Sequence, residues 1–224
     1  MKKNIISASM MCSDLVNLQE TLKIFEEEKI ERLHIDMMDG TFVPNLGLGV
    51  DYIRGLRHLT DIPLDIHMMI KDPEYKLQWI GIRETDIVSV HYESTYQVQR
   101  VLDWLEPYGC KRFLAVNPAT SVNVLEEVLD YIDGINLLMV NPGFAGQKIV
   151  PSTIRKAQKV VDLLKQENKD DIIIEVDGNI TPENAYILKN IGASMFVCGT
   201  SSIFRGDVST YRENIRRFRE SVKD

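Results

Sequence analysis

The chain has 224 residues, is 44% hydrophobic and carries a formal charge of −7. That length and apolar content suit a single globular domain, residues 1–224, with a sizeable core of its own. The acidic balance, with basic residues scattered rather than striped, excludes a nucleic-acid partner, and no apolar run approaches a membrane span. Taken in chain order, the start (Met-Lys-Lys-Asn-Ile-Ile-Ser) lacks the apolar stretch of a signal peptide. Short apolar runs suited to strands then follow at Ile5–Met10, Arg32–Asp36, Pro63–Met68, Ile87–His91, Arg112–Val116, Gly134–Val140, Ile172–Val176 and Met195–Cys198. Between them, apolar residues recur at helical spacing over Leu15–Glu28, Val98–Leu105, Val122–Tyr131, Ile154–Leu164, Pro182–Ile191 and Tyr211–Val222. Asp72-Pro73-Glu74 and Thr181-Pro182-Glu183 each offer a capping side chain, then Pro at the first helical position, then an acid in the first turn. The three cysteines, Cys12, Cys110 and Cys198, are odd in number and far apart, which points to a reduced, cytoplasmic protein. Cys12 and Cys198 close apolar segments and read as small core residues.

Strands alternating with helices from end to end imply a parallel sheet with right-handed crossovers. At this length the closed TIM (β/α)8 barrel fits, slightly below its usual size of about 250 residues. An open doubly wound sheet would want a Gly fingerprint after the first strand, and Ser9-Met10-Met11-Cys12 is not one. No linker or low-complexity segment divides the chain.

In such a barrel the strand C-termini form the active face. There the sequence places four metal-type ligands: His34 and Asp36 at the end of the second strand, His67 at the end of the third, and Asp177 at the end of the seventh. Side chains alternate along a strand, so His34 and Asp36 share a face. Two imidazoles with two carboxylates suit one divalent ion per subunit, Zn, Fe, Mn or Co, better than Mg or Ca. Asp65 and Glu175 sit two residues before a ligand, and are read either as orienting a metal-bound His or as polar filler of the barrel. His91 and Glu93 end the fourth strand, near the site or merely on its rim, and His58 reads as a surface residue. Gly178 and Asn179 after the seventh strand, and Gly199 and Thr200 after the eighth, lie where barrels often hold phosphate. The segment Asn141–Gln147, with Gly143 and Gly146 around Phe144 and Ala145, has the composition of a mobile flap.

A metal, two acids and a phosphate grip together suit a sugar phosphate. One acid takes a proton from a carbon beside a carbonyl, and the other returns it from the opposite face, inverting that carbon; Asp36 and Asp177 are the pair.

Over essentially its full length the chain resembles the ribulose-phosphate 3-epimerase family. The resemblance rests on Ile6-Ser7-Ala8-Ser9, His34-Ile35-Asp36-Met37-Met38-Asp39-Gly40, Phe42-Val43-Pro44-Asn45, Asp65-Ile66-His67-Met68-Met69, Val140-Asn141-Pro142-Gly143-Phe144-Ala145-Gly146-Gln147, Val176-Asp177-Gly178 and Gly199-Thr200-Ser201. It implies a TIM barrel with one divalent ion on His34, Asp36, His67 and Asp177, and Asp36 and Asp177 as acid and base. It also implies substrate contacts from Ser9, His67 and Asp177, a flap from Gly143 through Phe144 and Ala145 to Gly146, and a phosphate grip from Gly178, Asn179, Gly199 and Thr200. A ketose phosphate is the expected partner, and a symmetric homo-oligomer the expected assembly.

Ala8 stands where the family usually has Pro, Met11-Cys12 replace Leu-Ser, Asn179 replaces a second Gly, and Leu138 stands where a Met normally faces the site. Met139 beside it points to the other face of the strand. These departures lean the expectation toward the branch that interconverts D-allulose 6-phosphate and D-fructose 6-phosphate, with D-ribulose 5-phosphate and D-xylulose 5-phosphate as the alternative. A decarboxylase of the same barrel type would want a Lys cue where this chain has His67, and a non-catalytic sugar-phosphate binder would have lost Asp36 or Asp177.

Overall fold

The computed structural model describes residues 4–223; Met1–Lys3, where the polar start falls, and Asp224 lie outside them. Among the described residues, eight parallel strands run β1 (Ile5–Ser9), β2 (Arg32–Met38), β3 (Leu64–Met69), β4 (Ile87–His91), β5 (Lys111–Val116), β6 (Gly134–Leu138), β7 (Ile173–Asp177) and β8 (Met195–Cys198). They pair in sequence order and close through β8 on β1, so the fold is a TIM (β/α)8 barrel. The crossovers carry α1 (Leu18–Glu27), α2 (Val50–Leu56), α3 (Leu77–Ile80), α4 (Val98–Leu105), α5 (Ser152–Gln166), α6 (Pro182–Ile191) and α7 (Tyr211–Ser221). Their apolar faces cover the outer face of the sheet, where Ile35, Ile66, Val88, Leu114 and Val176 join the same core as Leu22, Phe25, Leu102 and Leu188.

The register decides what fills the barrel. Ser9 pairs with His34, Asp36 with His67, and Leu138 with Asp177, so inward-pointing residues stack in layers. The lowest layer is apolar: Ile87, Phe113 and Met195 are buried together, with Ile5 and Ile173 against them. Above it lies a buried polar layer of Ser7, His34, Asp65, Ser89, Asn136 and Glu175. The mouth holds Ser9, Asp36, His67, His91 and Asp177, flanked by the small cluster Met38, Val43 and Met69. An apolar floor and a polar upper half are what a packed barrel with an active rim requires.

The floor depends on one absent side chain. Gly134 pairs with Phe113, and a Cβ at position 134 would lie 2.3 Å from the Phe113 ring. That ring is fully buried and has nowhere to go. Gly134→Val is expected to destabilise the fold by about 1–3 kcal/mol or more through overpacking. For a chain of this size that lowers Tm by roughly 2–12 °C, read in thermal melts, and Phe113→Leu in the same background should recover part of it.

Several element ends differ from the sequence expectation. The first strand stops at Ser9 because Met10–Cys12 turn into a short 3-10 helix. The first helix begins at Leu18 rather than Leu15: the Asp14 carboxylate accepts from the Val16 and Asn17 N–H groups and holds a turn there. The sixth strand ends at Leu138, although Met139 still donates to the Asp177 carbonyl. Val122–Tyr131 is a 3-10 helix where an α-helix was expected, opened by Ser121, whose side chain accepts from the Asn123 N–H. The Thr181 cap is made, on the Asn184 N–H, but the Asp72 cap is not. Asp72 adopts a left-handed conformation (φ 47°), and Pro73–Tyr75 form only one 3-10 turn. Helices α2 and α3 went unassigned in the sequence because seven and four residues are too few for a convincing period.

Candidate active site

The four sequence-predicted ligands converge. His34 Nε2 lies 3.4 Å from Asp36 Oδ1 and 3.6 Å from Asp177 Oδ2, while His67 Nδ1 lies 3.6 Å and 3.4 Å from the same two oxygens. A tetrahedral site with bonds of about 2.1 Å has ligand atoms about 3.4 Å apart, so these four spacings match that requirement. His34 Nε2 and His67 Nδ1 are both buried and have no hydrogen-bond partner. These two partnerless ring nitrogens and the two carboxylates facing them form a cluster that could hold a metal ion.

The ring orientations are set from below. His34 Nδ1 donates to Asp65 Oδ2 at 2.6 Å, and Ser7 Oγ donates to that same oxygen at 2.7 Å. Glu175 Oε1 stays 3.9 Å from His34 Nδ1. Of the two acids left open in the sequence, Asp65 is therefore the one that fixes His34, and Glu175 belongs to the polar layer. Burial, then the charge of Asp65, pushes the Glu175 carboxyl well above its ordinary range. Burial works against a charged His34, but Asp65 and Asp36 outweigh it and raise that imidazole well above its usual pKa. His67 is raised in the same sense by Asp177 and Asp36, against burial and the charge of His34. Burial would also raise the Asp36 carboxyl, but the imidazoles of His34 and His67 hold it well below the usual carboxylate range. Ser9 Oγ donates to Asp36 Oδ2 at 2.9 Å.

Above the quartet opens a cleft at the barrel mouth. Ser9, Gly143, Phe144, Ala145, Gly146, Asp177, Gly178, Asn179, Gly199 and Thr200 all line it, as the sequence placed them. His67 does not; it is fully buried beneath. Leu138, Met38 and Met69 also line the wall, whereas Met139 is buried in the outer core, as strand alternation required. Cys198 is buried as expected and Cys110 is buried too, but Cys12 is a correction. It lines the cleft, with Sγ 3.7 Å from Ser9 Oγ, because the 3-10 turn carries it off the strand and over the mouth.

Among the described residues, no Lys or Arg lines this cleft. An anion there would rest on backbone N–H groups and hydroxyls. Gly178 (φ 107°) and Asn179 (φ 54°) take consecutive left-handed conformations, and a Cβ on Gly178 would sit 2.5 Å from Val140 Cγ2. Only Gly fits position 178, whereas Asn tolerates position 179. Asn179 Nδ2 donates to Ser201 Oγ at 3.1 Å and so ties the two phosphate-type loops together.

Some working residues escaped the sequence reading. Asn45 Nδ2 donates to the Gly143 carbonyl at 2.7 Å, pinning the flap to the loop after β2. Gln147 Nε2 bonds back to the Asn141 and Phe144 carbonyls at 2.6 and 2.8 Å, shaping the flap from within. Both end motifs that carry the family resemblance, residues 42–45 and 140–147, but nothing in the spacing gives either amide this role. His91, read in the sequence as near the site or merely on its rim, is fully buried with Nε2 2.8 Å from His67 Nε2, next to the quartet. His58 is exposed, as expected.

A barrel whose mouth gathers two imidazoles and two carboxylates under a Gly-rich cleft defines an enzyme that works on a small polar molecule. Residues 5–204 match the model of the Ribulose-phosphate 3 epimerase family. The chain belongs to that family, and with it to the isomerases. It is 35% identical to the ribulose-phosphate 3-epimerase of Bacillus subtilis (strain 168) over 90% of this chain and 93% of that protein. It is 37% identical to the chloroplastic ribulose-5-phosphate-3-epimerase of Arabidopsis thaliana over 98% of this chain and 77% of that protein. Among solved structures, 3-keto-L-gulonate-6-phosphate decarboxylase from Vibrio cholerae O1 superposes with a TM-score of 0.70 at 13% identity, covering 99% of this chain and 98% of that one. That likeness is one of fold. No helix among the described residues is long and apolar enough to cross a membrane.

Proposed function

We propose that the chain is a metal-dependent ketose-phosphate 3-epimerase whose substrate pair is D-ribulose 5-phosphate and D-xylulose 5-phosphate. The observation that carries the chemistry is the convergence of Asp36 and Asp177 on the same two imidazoles from strands with two others between them. The lean toward the hexose phosphate gives way here, because the relatives that match over nearly the whole chain are named for the ribulose substrate. The departures behind that lean replace no member of the quartet; Cys12, Leu138 and Asn179 line the cleft around it.

His34, Asp36, His67 and Asp177 would hold one divalent ion, and Zn, Fe, Mn and Co all suit that donor set. Such an ion supplies Lewis-acid stabilisation of the two enediolate oxygens. The protein supplies the rest. Asp36 and Asp177 reach the reacting carbon from different sides of the barrel; one removes the C3 proton and the other returns a proton to the opposite face. The hydroxyl of Ser9 holds the free oxygen of Asp36 in place. The N–H groups of Gly178, Asn179, Gly199 and Thr200 take the phosphate, and the flap around Gly143, Phe144, Ala145 and Gly146 excludes water over it. His67 reaches the substrate only through the ion, since it does not line the cleft.

The whole chain acts as one barrel domain in this reading. Exposed Tyr75, Trp79 and Tyr96 support association between copies of it, and three free cysteines support a reducing, cytoplasmic setting. The test is a comparison of kcat/KM on ribulose 5-phosphate and allulose 6-phosphate after metal reconstitution, with C3 exchange followed in D2O. A pentose preference of about tenfold or more, close to 1.4 kcal/mol in transition-state binding, is expected. A hexose preference would reverse the substrate assignment, and no exchange on either sugar would leave a binder.

A further inference from the structure

We infer that His91 and Glu93 are positioning residues that fix the proton of His67 and so keep its Nδ1 bare for the metal. The inference rests on the metal reading above and extends it to residues that touch neither ion nor substrate.

The geometry is a continuous chain. His67 Nε2 lies 2.8 Å from His91 Nε2, with the two rings 23° from coplanar and their centroids 4.9 Å apart. That is an edge-to-edge contact between ring nitrogens rather than a face-to-face stack. His91 Nδ1 lies 3.2 Å from Glu93 Oε2. Glu93 Oε1 in turn accepts from the Asn117 N–H at 2.9 Å and from the Thr120 hydroxyl. Both histidines are fully buried, and Phe42 packs its ring on His91 with centroids 4.7 Å apart.

Proton bookkeeping allows one arrangement. An imidazole that binds a metal through Nδ1 carries its single proton on Nε2. His67 must then donate to His91, whose Nε2 must be bare. The proton of His91 therefore sits on Nδ1 and points at Glu93, a carboxylate that only accepts. Each bond has one donor and one acceptor, and no other assignment of neutral rings leaves His67 Nδ1 free. Had Glu93 been a donor, the chain would run backwards and place a proton on the nitrogen that faces Asp36 and Asp177. His34 shows the same logic in a single step, since Asp65 accepts its Nδ1 proton and frees Nε2. One metal ligand is thus oriented directly by an acid, and the other through an intervening ring. Partners of this kind change metal affinity about 10–100-fold when removed.

The test uses zinc as probe and reads binding and protonation, not turnover. In zinc-loaded, nitrogen-15-labelled protein, long-range spectra should show His67 protonated on Nε2 and His91 on Nδ1. His91→Phe, which keeps the ring shape but offers no acceptor, should weaken zinc about 10–100-fold in competition with a chelator. His91→Gln, whose amide oxygen can accept from His67, should recover part of that loss. A wild-type His91 protonated on Nε2 overturns the inference, whether or not the Phe variant folds. So does wild-type zinc affinity in a folded His91→Phe protein. Failure of wild-type protein to take up zinc would remove the metal reading itself, and this inference with it; that result is distinct from the other two.

Discussion

Asp177→Asn is expected to abolish epimerisation while leaving half of the chemistry visible. Asn has the same shape, so the change leaves no cavity, and the partly exposed Asp177 side chain is the more open acid of the quartet, although its loss takes one counter-charge from His34 and His67. What it removes is a proton carrier, worth about 10²–10⁴ in rate. Asp36 survives in that variant, still held by Ser9 and still beside both histidines. It can take the C3 proton from one epimer and give back a solvent-derived one to the same face. Proton NMR in D2O should therefore show C3 exchange, without inversion, from only one of the two sugars. Asp36→Asn should show the mirror result with the other sugar. Because Asp36 is the more buried acid of the quartet, its loss should also weaken metal retention. Full turnover in either variant, or exchange from both epimers in one of them, would contradict paired acids on opposite faces.

Metal removal should have the second-largest effect. Treatment with a chelator is expected to stop turnover, and restoring a divalent ion should return it. A resident ion present at about a hundred times its Kd adds about 2.7 kcal/mol of stability, so the metal-free protein should melt roughly 5–10 °C lower. The gap should depend on pH, and its sign follows from the histidines. Without metal, the pKa of His34 and His67 is raised by the neighbouring acids. Their protonation therefore contributes stability that is complete below the unfolded pKa of about 6.5 and is lost as pH rises through the folded pKa. Metal must displace those same protons, so its affinity increases over that span. The difference in Tm between loaded and stripped protein is thus expected to widen from pH 6 to pH 8. A gap that narrows over that range would mean that the two imidazoles are not the ligands.

The barrel was legible because each strand is a short apolar run between turn residues, and the period-two pattern set His34 beside Asp36 and Asp65 beside His67. Eight runs of that kind at this length leave few alternatives. The quartet was legible for the same reason: strand ends in a barrel all point at one mouth. Element ends were less so, since Asp14 and Met10 stop regular structure through local turns that compete with an apolar pattern continuing past them. Cys12 read as core because its neighbours are apolar; only the turn at Met10–Cys12 takes it out of the strand. The link between His67 and His91 was the hardest to see. It depends on two strands side by side and on which ring nitrogen points which way, and neither is written in residue spacing. The substrate branch was the least legible part, because the lean toward a hexose phosphate hung on single cleft residues, whereas the likeness to the ribulose-phosphate 3-epimerase family spans residues 5–204.

The floor of Ile87, Phe113 and Met195 turns the barrel from a tube into a cup. Hydrogen isotopes cannot leak out through its base, so a label lifted from the sugar can wash out only past the rim. If the segment 143–146 opens and closes as proposed, washout would keep time with it, and the ratio of label retained to label lost would become a clock for that motion.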